Sequence, residues 1–359
     1  MTSVTDVVVI GAGQSGLAAV RALQARGIRP VVLEAGPEPA GSWPRYYDSL
    51  TLFSPARYSA MPGLDFPGPP GHYPHRDEVA GYLRRYAASL AADIRTGTPV
   101  TAVEAHHRGG FLVHTATGQT FHVAGVVAAT GSYGKPWVPA LPGQDRFPGR
   151  LLHVAGYRSP HQRAGERVIV VGAGNSAVQV GYELAQVATV TLATRHPVNF
   201  HPQCRGGQDL HHWLVTSGFD LLPPQWLSHY LGDRWVVDTG KYRHALQTGQ
   251  MDRRPMFTGF DADGVVWPDG TREQVDTVVF ATGYRPDLGY LSPLGALDND
   301  GMPLHSGGIS ATHPGLVYLG LEFQRSFSSN TLRGVHRDAE YVITSLTAHV
   351  RDAAAAVGL

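Results

Sequence analysis

The chain has 359 residues, of which 43% are hydrophobic and 16% charged, a balance that suits a globular protein of about two domains rather than a disordered chain. Its 29 basic residues cancel its 29 acidic ones, and Lys occurs only at Lys135 and Lys241, so nothing global draws it to nucleic acid or an acidic membrane. The single cysteine, Cys204, excludes a disulfide-stapled fold, a four-cysteine zinc site, an iron–sulfur cluster and a redox-active CxxC pair.

The N-terminus has no basic leader. Its apolar run Val7-Val8-Val9-Ile10 stops at Gly11, too short for a signal segment, and reads as a buried strand. No run approaches the roughly 18 apolar residues of a membrane span. The expectation is a soluble, cytoplasmic protein.

After that strand come Gly11-Ala12-Gly13-Gln14-Ser15-Gly16, a helix from Leu17 to Arg26, and a second strand, Val31-Val32-Leu33, ending in Glu34. The stretch from Gly36 to Pro74 is rich in Gly, Pro, Ser and aromatic residues and reads as an ordered loop. A strand at Val126-Val127-Ala128 runs into Ala129-Thr130-Gly131. The opening grammar then returns. Val168 to Val171 is a strand, Gly172-Ala173-Gly174-Asn175-Ser176-Ala177 a glycine turn, and a helix to Leu184 leads to the strand Val190-Thr191-Leu192 and Arg195. Arg195 stands as far beyond Gly172 as Glu34 stands beyond Gly11, so one unit is used twice. Residues 197–255 carry His, Trp, Tyr and Pro without periodicity, beyond some short helices. A second strand running into Ala-Thr-Gly follows, at Val278-Val279-Phe280 and Ala281-Thr282-Gly283, and an amphipathic helix from about Arg333 to Val350 closes the chain.

The fold expected is α/β, with two Rossmann-like dinucleotide-binding domains, the second inserted in the first. The first takes residues 1–154 and 286–359, and the second takes 155–285. A lone glycine loop is weak evidence, but here strand, loop, helix and acid-bearing strand agree. Gly11 permits the tight turn, Gly13 lets backbone approach a pyrophosphate, and Gly16 lets the helix pack on the strand. The helix N-terminus offers unpaired N–H groups to that pyrophosphate, and Glu34 can accept from ribose hydroxyls. In the second unit Arg195 replaces the acid. A guanidinium there can pair with a 2′-phosphate, which favours NADPH and leaves NADH open; the plainer reading is a solvated arginine at a strand end.

A third signal is Phe147-Pro148-Gly149-Arg150-Leu151-Leu152-His153-Val154-Ala155-Gly156-Tyr157, an FxGxxxHxxx(aromatic) pattern where the two units meet. With both glycine loops, both Ala-Thr-Gly seams, Gly41-Ser42-Trp43 and Ala281-Thr282-Gly283-Tyr284-Arg285-Pro286, the chain resembles the class B flavin-containing monooxygenases, particularly their short bacterial members, from end to end.

The resemblance implies that Gly11, Gly13, Gly16, Glu34, Ser42, Trp43, Thr130 and Gly131 contact FAD, and that Gly172, Gly174, Asn175, Ser176 and Arg195 contact NADPH. Gly283 and Asn330 join the cofactor-binding set. Phe53, His153 and Tyr157 are expected near the active site, with His153 supporting domain geometry rather than transferring protons. The activity implied is oxygen transfer from O2, through a C4a-(hydro)peroxyflavin, to a small soft nucleophile, a sulfide or an amine. Two departures stand out. Tyr157-Arg158 replaces the Trp ending of the Baeyer–Villiger subgroup, which leaves ketone oxidation as a weak side activity. Leu52-Phe53-Ser54 stands where larger members often carry Asn, which keeps alive an NADPH oxidase or reductase passing electrons to a quinone or carrier protein. A non-catalytic flavin or nucleotide sensor is a further alternative.

The 18 histidines, notably His201, His211 and His212 near Cys204, invite a metal reading. Adjacent histidines on a helix diverge and no carboxylate cluster accompanies them, so a pocket wall is the better reading and no metal is expected. Ser326-Phe327-Ser328-Ser329-Asn330-Thr331 reads either as a helix cap or as a polar N-terminus beside the flavin. Oligomeric state is not legible, and a homodimer stays open.

Overall fold

The structure is a computed structural model that describes residues 3–4, 6–230 and 235–357. The β-branched strand Val7–Ile10 is buried along its whole length, as befits a strand covered on both faces. It lies inside a seven-stranded sheet. The order is His305–Ser306, Ile309–Ser310, Leu316–Tyr318, Gly125–Ala128, Val7–Ile10, Val31–Leu33, Asp93–Arg95. The last five strands run parallel; the first two form an antiparallel extension.

On one face pack the helices Gln14–Gln24, Arg76–Leu90 and Val335–Val357, whose buried Leu17, Leu83 and Ile343 share one core with Val9 and Val127. The terminal helix expected from about Arg333 therefore begins at Val335. The opposite face is covered by the four-stranded sheet of Ser3–Val4, Thr120–Val123, Phe111–Thr115 and Val100–Ala105 together with the 3-10 turn Gly289–Leu294.

The second glycine unit builds a five-stranded parallel sheet, ordered Arg150–His153, Thr277–Phe280, Arg167–Val171, Thr189–Thr194, Asp252–Pro255. Its edge strand Arg150–His153 lies ahead of residue 155, where the inserted unit was expected to begin. Arg150 through His153 pair in register with Thr277 through Phe280, so the sheet already starts inside the FxGxxxH pattern.

The two chain crossings between the sheets are themselves joined, Lys135–Pro136 pairing antiparallel with Tyr284–Arg285. The amide of Trp137 donates to the Gly283 carbonyl at 3.0 Å, and the Thr282 hydroxyl donates to the Trp137 carbonyl at 2.5 Å. Residues 197–255 form a short parallel pair, Asn199–Pro202 with Trp235–Asp238, and the helices Leu210–Thr216, Pro224–Tyr230 and Lys241–Gln247. No helix among the described residues is long and apolar enough to cross a membrane.

Candidate active site

The C-terminal ends of the parallel strands, at Ile10, Leu33, Ala129, Val171, Ala193 and Ala281, open on one cavity of about 1660 Å³. This is the crevice where open α/β sheets bind ligands. Both glycine loops line it. The two loops repeat each other closely. Gly11 (φ +102°) and Gly172 (φ +140°) each start a turn, and a Cβ on either would meet the carbonyl oxygen of its own seam, Ala129 at 2.8 Å or Ala281 at 2.6 Å. The Ala-Thr-Gly seams thus lie directly against the loops.

Neither following helix is capped. Gln14–Gln24 begins at Gly13 and Asn175–Leu184 at Gly174, with no side-chain cap and no acidic residue in either first turn. Their first N–H groups and the positive end of each dipole therefore face the cavity unspent. A Cβ on Gly174 would meet nothing within 4 Å, so it would project into the space where an anion can reach the backbone. This donor set fits two dinucleotide pyrophosphates.

Glu34 is 6% exposed and lines the cavity. Its carboxylate accepts from the Ala12 amide at 2.6 Å and the Gly36 amide at 2.7 Å, which fastens the strand end to the glycine loop while lone pairs remain for a ribose. Arg195, its counterpart, is exposed on the cavity rim and makes no protein ion pair or hydrogen bond among the described residues. Ser42 and Trp43 line the wall; the Trp43 indole donates to the Gln14 amide oxygen at 3.1 Å. Thr130, Gly131, Ser176, Gly283 and Asn330 line it as well.

Four of the expected residues stand differently from the rest. Gly16 is not on the wall: a Cβ there would sit 1.8 Å from the Gly11 carbonyl oxygen, so it serves helix packing alone. Asn175 lines the cavity, but its side chain is occupied, donating to the Trp235 carbonyl at 3.1 Å and accepting from Val237 at 3.0 Å. His153 and Tyr157 lie behind the wall. The His153 ring donates to the Gly283 carbonyl (3.0 Å), accepts from the Ala155 amide (3.1 Å), and meets Tyr284 edge-on; burial lowers its pKa. Tyr157 is 2% exposed beside Tyr47, and burial with nearby Glu183 pushes its hydroxyl well above the ordinary value.

The serine run 326–331 is also more self-contained than its sequence implies. The Ser329 hydroxyl accepts from the amides of Arg325 and Ser326, and the Ser328 hydroxyl donates to the Asp220 carbonyl. Only Phe327, Asn330 and Thr331 of that run reach the cavity. Asn330 takes part twice: its side chain donates to the Tyr133 hydroxyl, and its carbonyl accepts from Gln14.

The other end of the cavity is apolar and aromatic. Phe53, 43% exposed, stacks on His211 at 6.2 Å between ring centroids, as does Tyr58 on the same ring. His211 is buried on a short helix whose N-cap is Asp209, a residue that composition and motif gave no reason to single out. Among the described residues no group of three or more His, Cys, Asp or Glu could hold a metal ion.

Residues 8–213 match the family model of pyridine nucleotide-disulphide oxidoreductases. The chain is 31% identical over 351 residues, 97% of its own length and all of the relative's, to an uncharacterized CzcO-like oxidoreductase of Geobacillus kaustophilus. It is 32% identical over 326 residues, 80% of this chain and 78% of the relative, to indole-3-pyruvate monooxygenase YUCCA1 of Oryza sativa subsp. japonica. A flavin-containing monooxygenase from Stenotrophomonas maltophilia has the same fold, with a TM-score of 0.85 and 32% identity over 97% of this chain and 99% of that one.

The chain belongs to the flavin-containing monooxygenases.

The disulphide chemistry in the wider family's name has no counterpart in this monooxygenase, whose one cysteine is exposed at the hairpin Cys204–Asp209. Its FxGxxxH pattern acquires a structural reason. A Cβ on Gly149 would lie 2.4 Å from the Phe147 ring and 2.7 Å from the Asp276 carbonyl oxygen, so glycine lets the phenylalanine fold back against Phe260 while the chain enters the second sheet. His153 then ties that strand to the second seam.

Proposed function

We propose that this monooxygenase holds FAD along the first glycine loop and NADPH along the second, and transfers one atom of O2 to a soft nucleophile, a sulfide or an amine. The observation that carries the reading is the pair of uncapped helix N-termini opening on one cavity, with an acid beyond one and, beyond the other, a guanidinium unpaired among the described residues. FAD would lie on the unit of the seven-stranded sheet and NADPH on the unit of the five-stranded sheet. The bound flavin supplies hydride acceptance and dioxygen chemistry.

The chain's own residues supply position and dryness. The amides behind Gly13 and Gly174 hold the two pyrophosphates, Glu34 accepts from a ribose, and Arg195 pairs with a 2′-phosphate. Gln14, Trp43 and Asn330, linked by hydrogen bonds, fix the wall between the two ends of the cavity. The apolar end with Phe53 and Tyr58 excludes water from the substrate. A second reading, NADPH oxidation with release of peroxide, draws on Phe53, an apolar side chain that offers no hydrogen bond at the place where larger relatives often have Asn. Ketone oxidation remains a side activity at most in this reading.

The deciding experiment reduces the purified enzyme with NADPH without oxygen, then mixes it rapidly with O2. A transient blue-shifted flavin absorbance before the oxidised spectrum returns supports oxygen transfer. Direct return with stoichiometric peroxide supports the oxidase reading, and failure of NADPH to bleach the flavin sinks both.

A further inference from the structure

At the apolar end of the cavity stands a carboxylate–imidazole pair to which oxygen transfer assigns no task. Asp209 is 5% exposed, and His211, which lines the cavity, is 2% exposed. The Asp209 carboxylate accepts four hydrogens. One oxygen takes the His211 amide at 2.7 Å and the His211 ring Nδ1–H at 2.8 Å; the other takes the Tyr73 hydroxyl and the Gln203 amide, both at 2.6 Å. Burial acts to raise this carboxyl, but the bonds from His211, Tyr73 and Gln203 outweigh it and hold the pKa down to about 2. An ionised acceptor at Nδ1 selects the tautomer with its proton there, which leaves Nε2 a bare lone pair. Nε2 has no protein hydrogen bond among the described residues.

The surroundings are those of a base, not of a permanent ion pair. Burial lowers the His211 pKa; Asp209 opposes the shift, Arg333 adds to it, and Asp220 opposes. Arg333 is itself bound to Asp220 by two bonds of 2.7 and 2.8 Å, so Asp209 is left as the unbalanced charge of this corner. Gln203 spends its other amide hydrogen on the Phe53 carbonyl at 2.9 Å, tying the pair to the segment that forms the cavity wall. Phe53 and Tyr58 each stack on the His211 ring, and the Arg57 guanidinium lies over Tyr58 at 5.3 Å.

We propose that His211, oriented by Asp209, accepts a proton from a bound ammonium group, so that the substrate is an amine that enters protonated and meets oxygen transfer as the free base. In this step one N–H bond of the ammonium breaks and its electron pair stays on nitrogen as the lone pair. The proton moves to Nε2, no electron is gained or lost, and Asp209 stabilises the imidazolium formed. Near pH 7 an alkyl amine is almost wholly ammonium and has no lone pair to offer. Entry into an apolar pocket lowers the ammonium's own pKa as burial lowers that of His211, and the Asp209 carboxylate favours the charged ring, which narrows the gap on the imidazole's side. A sulfide carries no such proton and makes no use of the pair. The assignment rests on the oxygen-transfer reading and narrows its substrate class.

The test uses FAD-loaded protein with nitrogen-15-labelled histidine at about pH 8, above the ordinary histidine pKa. His211→Gln removes one imidazole signal and so assigns it. In the wild type Nε2 is expected to resonate as an unprotonated nitrogen, to become protonated on adding benzylamine, and to stay unchanged with benzyl methyl sulfide. Asp209→Asn is expected to abolish the response to benzylamine. In turnover, the rising limb of kcat/KM for benzylamine lies below the ordinary histidine pKa; in His211→Gln it moves up to the amine's own pKa, with a loss of roughly 100-fold near neutrality.

No response of Nε2 to benzylamine, or an unmoved pH limb in His211→Gln, overturns the proposal. Sulfoxide formation without protonation by the amine sinks this inference and spares the oxygen-transfer reading. Protonation by benzylamine in an enzyme that gives only peroxide sinks the oxygen-transfer reading and the substrate assignment with it, and leaves standing only the proton transfer to His211.

Discussion

Arg195 and Glu34 occupy equivalent places in two copies of one unit, yet their surroundings divide their work. Glu34 is enclosed and already holds two backbone amides; Arg195 stands exposed with a guanidinium that no group among the described residues engages. Arg195→Gln is expected to raise KM for NADPH roughly 10- to 100-fold, the worth of a charge-assisted bond, while KM for NADH changes little. Steady-state assays with both nucleotides check this, and equal losses for both would deny the arginine its discriminating role. Glu34→Ala leaves the Ala12 and Gly36 amides without their acceptor and is expected to yield protein depleted in flavin, read from the ratio of flavin to protein absorbance.

The places of such residues were legible because they are set locally: a glycine loop and the end of its next strand lie within one short stretch of chain. The Asp209 cluster was not. Its carboxylate collects Tyr73, more than a hundred residues earlier, and Gln203 and His211 from either side of a hairpin. No spacing rule records such a meeting, and His211 read only as a wall residue beside His212. The role of Asn175 was hidden for a related reason, since its partners Trp235 and Val237 come from an aperiodic segment.

At the scale of elements, the edge strand Arg150–His153 shows why a boundary is harder to read than a motif. It is short and follows Pro148-Gly149, and only its pairing with Thr277–Phe280 reveals which sheet owns it. Gly149→Ala forces a Cβ against the Phe147 ring and the Asp276 carbonyl, and is expected to destabilise the protein by about 1–3 kcal/mol, seen as a lower Tm. The terminal helix offers a pH test. Burial raises the Asp338 carboxyl to about 6, with one oxygen unpartnered and Arg325 only 3.6 Å from the other. A carboxyl raised above its unfolded value stabilises the fold at low pH, and that contribution is lost as pH rises through about 6. Asp338→Asn is therefore expected to raise Tm by roughly 2–4 °C near pH 8 and to give no gain near pH 4, as thermal melts at the two values would show. An equal gain at both would place the effect in packing, not charge.

For the whole molecule, the repeat of strand, glycine turn and helix announces two sheets from the sequence alone, while the way they are joined depends on the backbone. Ligands that bind only the folded form stabilise it by mass action, by about 2.7 kcal/mol at a hundredfold excess over Kd. NADP+ is accordingly expected to raise Tm of the FAD-loaded enzyme, and to do so much less in Arg195→Gln.

The paired crossings, Lys135–Pro136 against Tyr284–Arg285, carry a mechanical consequence. Two independent linkers would let one half of the molecule swivel freely against the other. Linkers that hydrogen-bond to each other must flex as one strip, so any movement between the halves would be that of the covers of a book about a single spine. The Thr282 and Trp137 bonds stitch that spine at the bottom of the cleft, between the two seams. Any opening about that spine would widen the gap between the two glycine loops without sliding one past the other, and closure would return them to the same facing positions.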